Sequence, residues 1–291
     1  MEARKHRTPR RLAPLFLFPI LFPILFLLWG CSSLLYHPTR THYVNVSKLH
    51  PAPEDRVVEL STGLKVHGWY FRSPKQPARA VIVFFHGNAQ NRSSHFLALY
   101  WIVEKGYDLA VFDYPGYGQT AGTPTPASTV HAAAQVLRAL HRETSPLPLV
   151  VYGQSLGGAI AMRAVWELRE EFRPNLMVID SSFLWYTRTA RAVLGKSAWT
   201  WLLQPLAWIT LSDKWAPGAR LEDLEGLPIV VIHSREDEVI PYRLGKEVFD
   251  SARGPKEMWT KERGKHNETF GGDEGKRLKE RLIERLSAIK N

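Results

Sequence analysis

The sequence predicts an α/β fold, a mostly parallel eight-stranded sheet flanked by helices. Short continuous apolar runs such as Ala80–Phe85 suit strands covered on both faces. Amphipathic stretches alternate with these runs, as they do when helices cover both sides of a sheet. A chain of 291 residues, 45% hydrophobic and 23% charged, can bury one large core. That composition excludes a disordered chain and a multi-spanning membrane protein.

The elements follow in order. Arg56–Leu60 and Leu64–Arg72 read as two strands around the turn Ser61-Thr62-Gly63. Ala80–Phe85 is the third strand, and Ser93–Glu104 is expected as a helix with Leu97, Trp101 and Ile102 on one face. Leu109–Phe112 is a strand, and the alanine-rich Thr129–Glu143 is a helix with Ser128 as its expected N-cap. Leu149–Tyr152, Leu176–Ile179, Ile229–Ile232 and Lys256–Thr260 are further strands. Leu156–Leu168, Leu244–Ala252 and Asp273–Lys290 are helices, and the last carries Leu278, Leu282, Ile283, Leu286 and Ile289 on one face. Residues 183–225 interrupt the alternation and hold five of the ten tryptophans, Trp185, Trp199, Trp201, Trp208 and Trp215. A connection this long inside a compact domain is expected to be functional, here a helical lid. Its tryptophans serve equally as the core of a small subdomain or as a lipophilic substrate surface.

The 38 Lys and Arg against 28 Asp and Glu leave a net charge of +10. Arg4, Lys5, Arg7, Arg10 and Arg11 sit at the extreme N-terminus, and elsewhere basic and acidic residues alternate. No basic stripe interleaved with aromatics exists, so nucleic acid is not an expected partner. The single cysteine, Cys31, excludes an intrachain disulfide framework and a cysteine-rich zinc site.

Residues 1–30 read as a signal peptide or membrane anchor, 31–55 as a linker and 56–291 as the folded domain. The basic opening precedes an uncharged run from Leu12 to Tyr36, most apolar over Leu15–Trp29. Leu28-Trp29-Gly30-Cys31 resembles the lipobox of bacterial lipoproteins, with Trp29 departing from the small residue usual there. The resemblance implies cleavage before Cys31, lipidation of its thiol and a catalytic domain outside the cytoplasm of a bacterial cell envelope. Ser32 after the cysteine resembles the outer-membrane sorting pattern. The alternative is an uncleaved transmembrane anchor, for which the run is long enough and its Pro19 and Pro23 tolerable.

The chemistry concentrates at Gly153-Gln154-Ser155-Leu156-Gly157. This G-x-S-x-G string follows an apolar strand and opens a helix, the context of a nucleophile elbow. A sharp strand-to-helix turn puts Ser155 in strained backbone geometry and leaves no room for side chains two residues away. A hydroxyl is a weak nucleophile at neutral pH, so Ser155 needs a base, and that base an orienting acid. Glu236, Asp237 and Glu238 crowd one loop, and Asp180 ends another strand, so composition alone does not choose the acid. No H-E-x-x-H, phosphate-loop or dinucleotide-binding glycine pattern occurs, and no cofactor is expected.

Taken together, Thr62–Phe71, Phe85–Asn91, Phe112–Thr123, Gly153–Gly158, His233–Tyr242 and Lys256–Phe270 resemble the α/β-hydrolase superfamily. More narrowly, they resemble its membrane-associated serine-hydrolase branch, which includes lysophospholipases, monoacylglycerol lipases and acyl-protein depalmitoylases. The chain order of that superfamily is Ser, acid, His. It implies His266 as base, since only His233 and His266 follow Ser155, and Asp237 as acid with Asp180 as runner-up. It also implies an oxyanion hole from the N–H groups of Leu156 and Asn88, with Ala89 a second possibility. His86 is expected to brace its loop, and Asp113–Gly118 to form a structural turn whose aromatics reach the pocket wall. Lys265 stands where the family usually has glycine. The function implied is hydrolysis of a small-molecule acyl ester or thioester. A serine peptidase on the same fold and a catalytically silent binding protein are the alternatives.

Overall fold

The computed structural model describes residues 35–196 and 198–289. Cys31, the apolar run before it and Lys290 at the end of the expected last helix lie outside the described residues.

The strands are β1 (Glu54–Glu59), β2 (Lys65–Phe71), β3 (Val81–Phe85), β4 (Asp108–Phe112), β5 (Leu149–Gln154), β6 (Leu176–Asp180), β7 (Ile229–Ser234) and β8 (Lys256–Lys261). They form one sheet in the order β1-β2-β4-β3-β5-β6-β7-β8. β1 and β2 pair antiparallel, β2 runs antiparallel to β4, and the remaining pairs are parallel. The helices are α1 (Arg92–His95), α2 (Pro126–Thr144), α3 (Leu156–Glu167), α4 (Tyr186–Leu194), α5 (Ala198–Trp201), α6 (Leu206–Thr210), α7 (Tyr242–Ser251) and α8 (Gly272–Ser287).

Alternation along the parallel strands divides the core in two. Val81, Val83, Val151, Met177, Ile179 and Val231 face one side, with Val136 and Leu140 of α2, Ile160 of α3 and Leu244 of α7. Ile82, Phe84, Val150, Val178, Val230 and Ile232 face the other, with Leu278, Leu282 and Leu286 of α8. Continuous apolar strands are legible for this reason: both their faces are covered.

Two local expectations are corrected. The helix expected over Ser93–Glu104 is a single α turn, α1, followed by 3₁₀ segments Phe96–Ala98 and Tyr100–Lys105. Phe96, Leu99 and Ile102 recur every three residues, the spacing that lines up one face of a 3₁₀ helix, and all are buried while Leu97 is exposed. The N-cap of α2 is Thr125, not Ser128. Pro126 fits the first helical position, and Thr125 and Ser128 bond each other's backbone N–H reciprocally at 3.0 and 2.9 Å.

Residues 35–53, expected within a linker, pack on the domain. Tyr36 is buried with its hydroxyl 3.1 Å from Thr129 Oγ1, and the Asn91 side chain donates to the Thr41 carbonyl at 2.8 Å. The insertion 183–225 contains α4, α5, α6 and two 3₁₀ turns. Its base is held by Arg163, which donates to the Lys214 carbonyl at 2.9 Å, and by Asp213, which accepts from the backbone and hydroxyl of Thr187. No helix among the described residues is long and apolar enough to cross a membrane.

Candidate active site

β5 delivers the nucleophile candidate. Ser155 lies between β5 and α3 with φ 54° and ψ −122°, a conformation that L side chains rarely adopt. The neighbouring glycines make the turn possible by close approach. A Cβ on Gly157 would lie 2.1 Å from the Phe85 carbonyl oxygen, and one on Gly153 would lie 2.6 Å from Gly158 Cα. The strained residue is pinned from both sides. Its N–H donates to the Asp180 carbonyl at 2.8 Å, and its carbonyl accepts from Ser182 Oγ at 2.7 Å. Ser182 is a positioning group that the sequence analysis missed, since no motif spacing links it to the elbow.

Three groups converge at the carboxyl edge of the sheet. Ser155 Oγ is 2.9 Å from His266 Nε2, and His266 Nδ1 is 2.8 Å from Asp237 Oδ2. Asp237 follows β7, and its Oδ1 accepts from the N–H groups of Val239 and Ile240 at 2.8 and 2.7 Å. Burial alone would raise its pKa. The hydrogen bond and charge of His266, with the two backbone N–H groups, outweigh burial and hold the carboxyl below its ordinary range. His233 is fully buried beneath it and donates from Nε2 to the Ile240 carbonyl at 2.8 Å, remote from Ser155 in role. Burial lowers its pKa.

The other carboxylates have separate tasks. Asp180 accepts from Tyr152, Gln154, Ser181 and Thr269 at 2.9, 3.0, 3.1 and 2.6 Å, which fills its capacity away from His266. Glu238 accepts from the His266 N–H at 3.0 Å and Glu236 from the Gly264 N–H at 3.1 Å, so both fasten the loop carrying the histidine. Lys265 is exposed.

Opposite Ser155 lies the loop after β3. Ala89 gives its N–H to the Asn88 side chain at 2.8 Å. That use leaves Asn88, which lines the cavity with Ser155 and Leu156, as the better-placed oxyanion donor. Leu156 opens α3, where the N–H groups have no intrahelical acceptor. Tyr117 and Tyr114 do not reach the pocket wall. They are buried, and their hydroxyls donate to Asn88 Oδ1 at 2.9 Å and to the His86 carbonyl at 2.8 Å, bracing the loop. His86 is buried too, with Nδ1 2.8 Å from the Gly87 carbonyl and its pKa pushed well down by burial.

Ser155 opens into a cavity of about 500 Å³. Its walls are Phe183, Val193, Leu194, Leu206, Ile240 and further apolar or neutral side chains, and among the described residues no charged one lines it. Among the described residues no group of three His, Cys, Asp or Glu could hold a metal ion.

Sheet order, elbow and cavity define the α/β-hydrolase fold, and the chain is a hydrolase with that fold. Residues 76–217 match the family described as serine aminopeptidase, S33. Among curated proteins the chain is 28% identical over 237 residues to the uncharacterized protein YfhR of Escherichia coli (strain K12), covering 79% of this chain and 78% of that protein. It is 27% identical over 223 residues to the lysophosphatidylserine lipase ABHD12 of Danio rerio, covering 74% of this chain and 57% of that protein. Among solved structures, the Pyrococcus furiosus esterase Pf2001 superposes with a TM-score of 0.70 at 18% identity, covering 88% of this chain and 99% of the esterase.

Proposed function

We propose that this protein is a membrane-tethered serine hydrolase that cleaves carboxylic esters or thioesters of apolar acyl groups through an acyl-enzyme. The observation that carries the reading is the Ser155–His266–Asp237 relay, with links of 2.9 and 2.8 Å, at the floor of an apolar cavity. Ser155 Oγ attacks the acyl carbonyl while His266 Nε2 takes its proton and returns it to the leaving alcohol or thiol. Asp237 fixes the ring so that Nε2 is the base, and stabilises the imidazolium. The N–H groups of Asn88 and Leu156 hold the oxyanion, whose donors are each worth roughly 10²–10³ in rate. Water deacylates the enzyme by the same steps. A fluorophosphonate probe labels wild-type protein and leaves Ser155→Ala unlabelled; persistent labelling of that variant removes the assignment. Folded wild-type protein unreactive to every serine probe would favour a silent binding scaffold.

The matched family description supports a second reading, an aminopeptidase. Against it, an aminopeptidase must hold a substrate ammonium, and among the described residues no carboxylate lines the cavity. Aryl esters of increasing chain length compared with aminoacyl amides decide between the two, and the ester reading expects turnover of the esters only. The tether is assigned to the segment ending at Cys31, by lipidation or as an uncleaved anchor. A mass spectrum of the native N-terminus distinguishes them.

A further inference from the structure

The insertion turns part of its apolar surface outward. Trp199, Trp201, Leu202, Trp208 and Ile209 are 92, 58, 75, 61 and 69% exposed, all in one short stretch of chain. Single exposed apolar residues are ordinary, but a contiguous patch marks a partner. This patch is continuous with the cavity: Leu203, Leu206, Ile209 and Val193 are exposed and also line it. Exposed apolar side chains of the insertion therefore extend into the wall of the cavity that holds Ser155.

Two further observations identify what covers it. On its opposite stripe, α4 presents Arg188 and Arg191, which with Arg243 and Lys196 line a separate cleft; among the described residues its one acid is Glu247, 3.7 Å from Arg188 and 3.9 Å from Arg243, so the cleft keeps a net positive charge. The Arg191 guanidinium lies 4.1 Å from the Trp208 ring, so the cationic cleft adjoins the apolar patch. Leu35, the first described residue, lines the cavity. The apolar run Leu15–Trp29 ends six residues before Leu35 in the sequence, a separation that at most about 20 Å of extended chain can span.

We propose that this patch docks on an anionic lipid bilayer. Trp199, Trp201 and Trp208 lie at headgroup level, the position that tryptophan favours. Arg188, Arg191 and Arg243 meet the anionic headgroups. An acyl ester then passes from the bilayer into the cavity without crossing water. Docking goes beyond the esterase reading, and its test needs no turnover.

The full chain is reconstituted in vesicles of phosphatidylcholine and phosphatidylglycerol, with and without bromine on the acyl chains. Wild-type protein is compared with a Trp199→Phe, Trp201→Phe, Trp208→Phe variant, which keeps the apolar bulk. The difference spectrum isolates three exposed tryptophans and cancels Trp29. The expected result is that bromolipid quenches most of this difference emission. Omitting phosphatidylglycerol is expected to weaken docking by about tenfold. A difference spectrum left unquenched while the remaining emission is quenched overturns the proposal, because the N-terminal segment is then inserted with the patch off the bilayer. An unquenched difference spectrum with crosslinked dimers overturns it too, in favour of a second copy. Equal quenching without phosphatidylglycerol overturns the role of the arginines.

Discussion

Asp237 and Asp180 are both buried carboxylates at the ends of neighbouring strands, and their hydrogen bonds separate them. Asp237 holds His266, whereas Asp180 is filled by four donors: Tyr152 and Gln154 of β5, Ser181 just after β6, and Thr269 in the loop after His266. Asp237→Asn is expected to fold and to lose roughly 10⁴ in kcat, because an amide disfavours the ring tautomer that presents Nε2 as base. Steady-state kinetics on a soluble aryl ester checks this. Asp180→Ala is expected to lose roughly 3 kcal/mol or more of stability in urea, since it strands buried donors. Its folded fraction should still react with a fluorophosphonate, an outcome that an acid role for Asp180 would forbid.

Elements meet at the elbow and at the loop after β3. Gly157→Ala places a methyl against the Phe85 carbonyl and forces α3 away from β3. The expected cost is about 1–3 kcal/mol, with probe labelling lost disproportionately because Ser155 shifts relative to His266. The loop after β3 is tied to the turn after β4 by Arg92. Its guanidinium pairs with Asp113, its N–H donates to Asp113 Oδ1 at 2.9 Å, and it lies 4.7 Å from the Trp69 ring. Both side chains of the pair are buried, so Arg92→Ala leaves Asp113 charged and unpaired. That is expected to cost about 3–5 kcal/mol in denaturant unfolding.

For the molecule as a whole, acid is the expected weakness. Burial lowers the pKa values of His86, His95 and His233. The unfolded rings take up protons near pH 6.5 while the folded ones stay neutral. The unfolded state thus binds more protons, and stability falls as pH drops below about 6.5, by up to roughly 1.4 kcal/mol per pH unit for each ring. The depressed carboxyl of Asp237 adds stability that is present above its unfolded value and is lost as pH falls through the folded one. Thermal melts from pH 8 to pH 4 should show a descending midpoint beginning near pH 6.5, and a flat profile would contradict the burial argument.

The five tryptophans of the insertion show where reading the sequence stops. Trp185 and Trp215 are partly buried against the core, while Trp199, Trp201 and Trp208 are exposed and none of the five lines the cavity. Neither expected role covers all five, because indole is equally suited to core and surface. Likewise, spacing cannot show that the Ala89 N–H is already used or that Asp180 is saturated.

The sequence by itself determined the alternating α/β order and the elbow. Strand periodicity, apolar continuity and the need for glycine around Ser155 are properties of adjacent residues. The tertiary structure alone decided the rest. It brings together Ser155 and His266 from 111 residues apart, fills Asp180, leaves Asn88 facing the cavity and turns the apolar stretch 199–209 outward. These are matters of which hydrogen-bonding groups and apolar faces remain unpaired once distant segments have packed, and no local pattern carries that information.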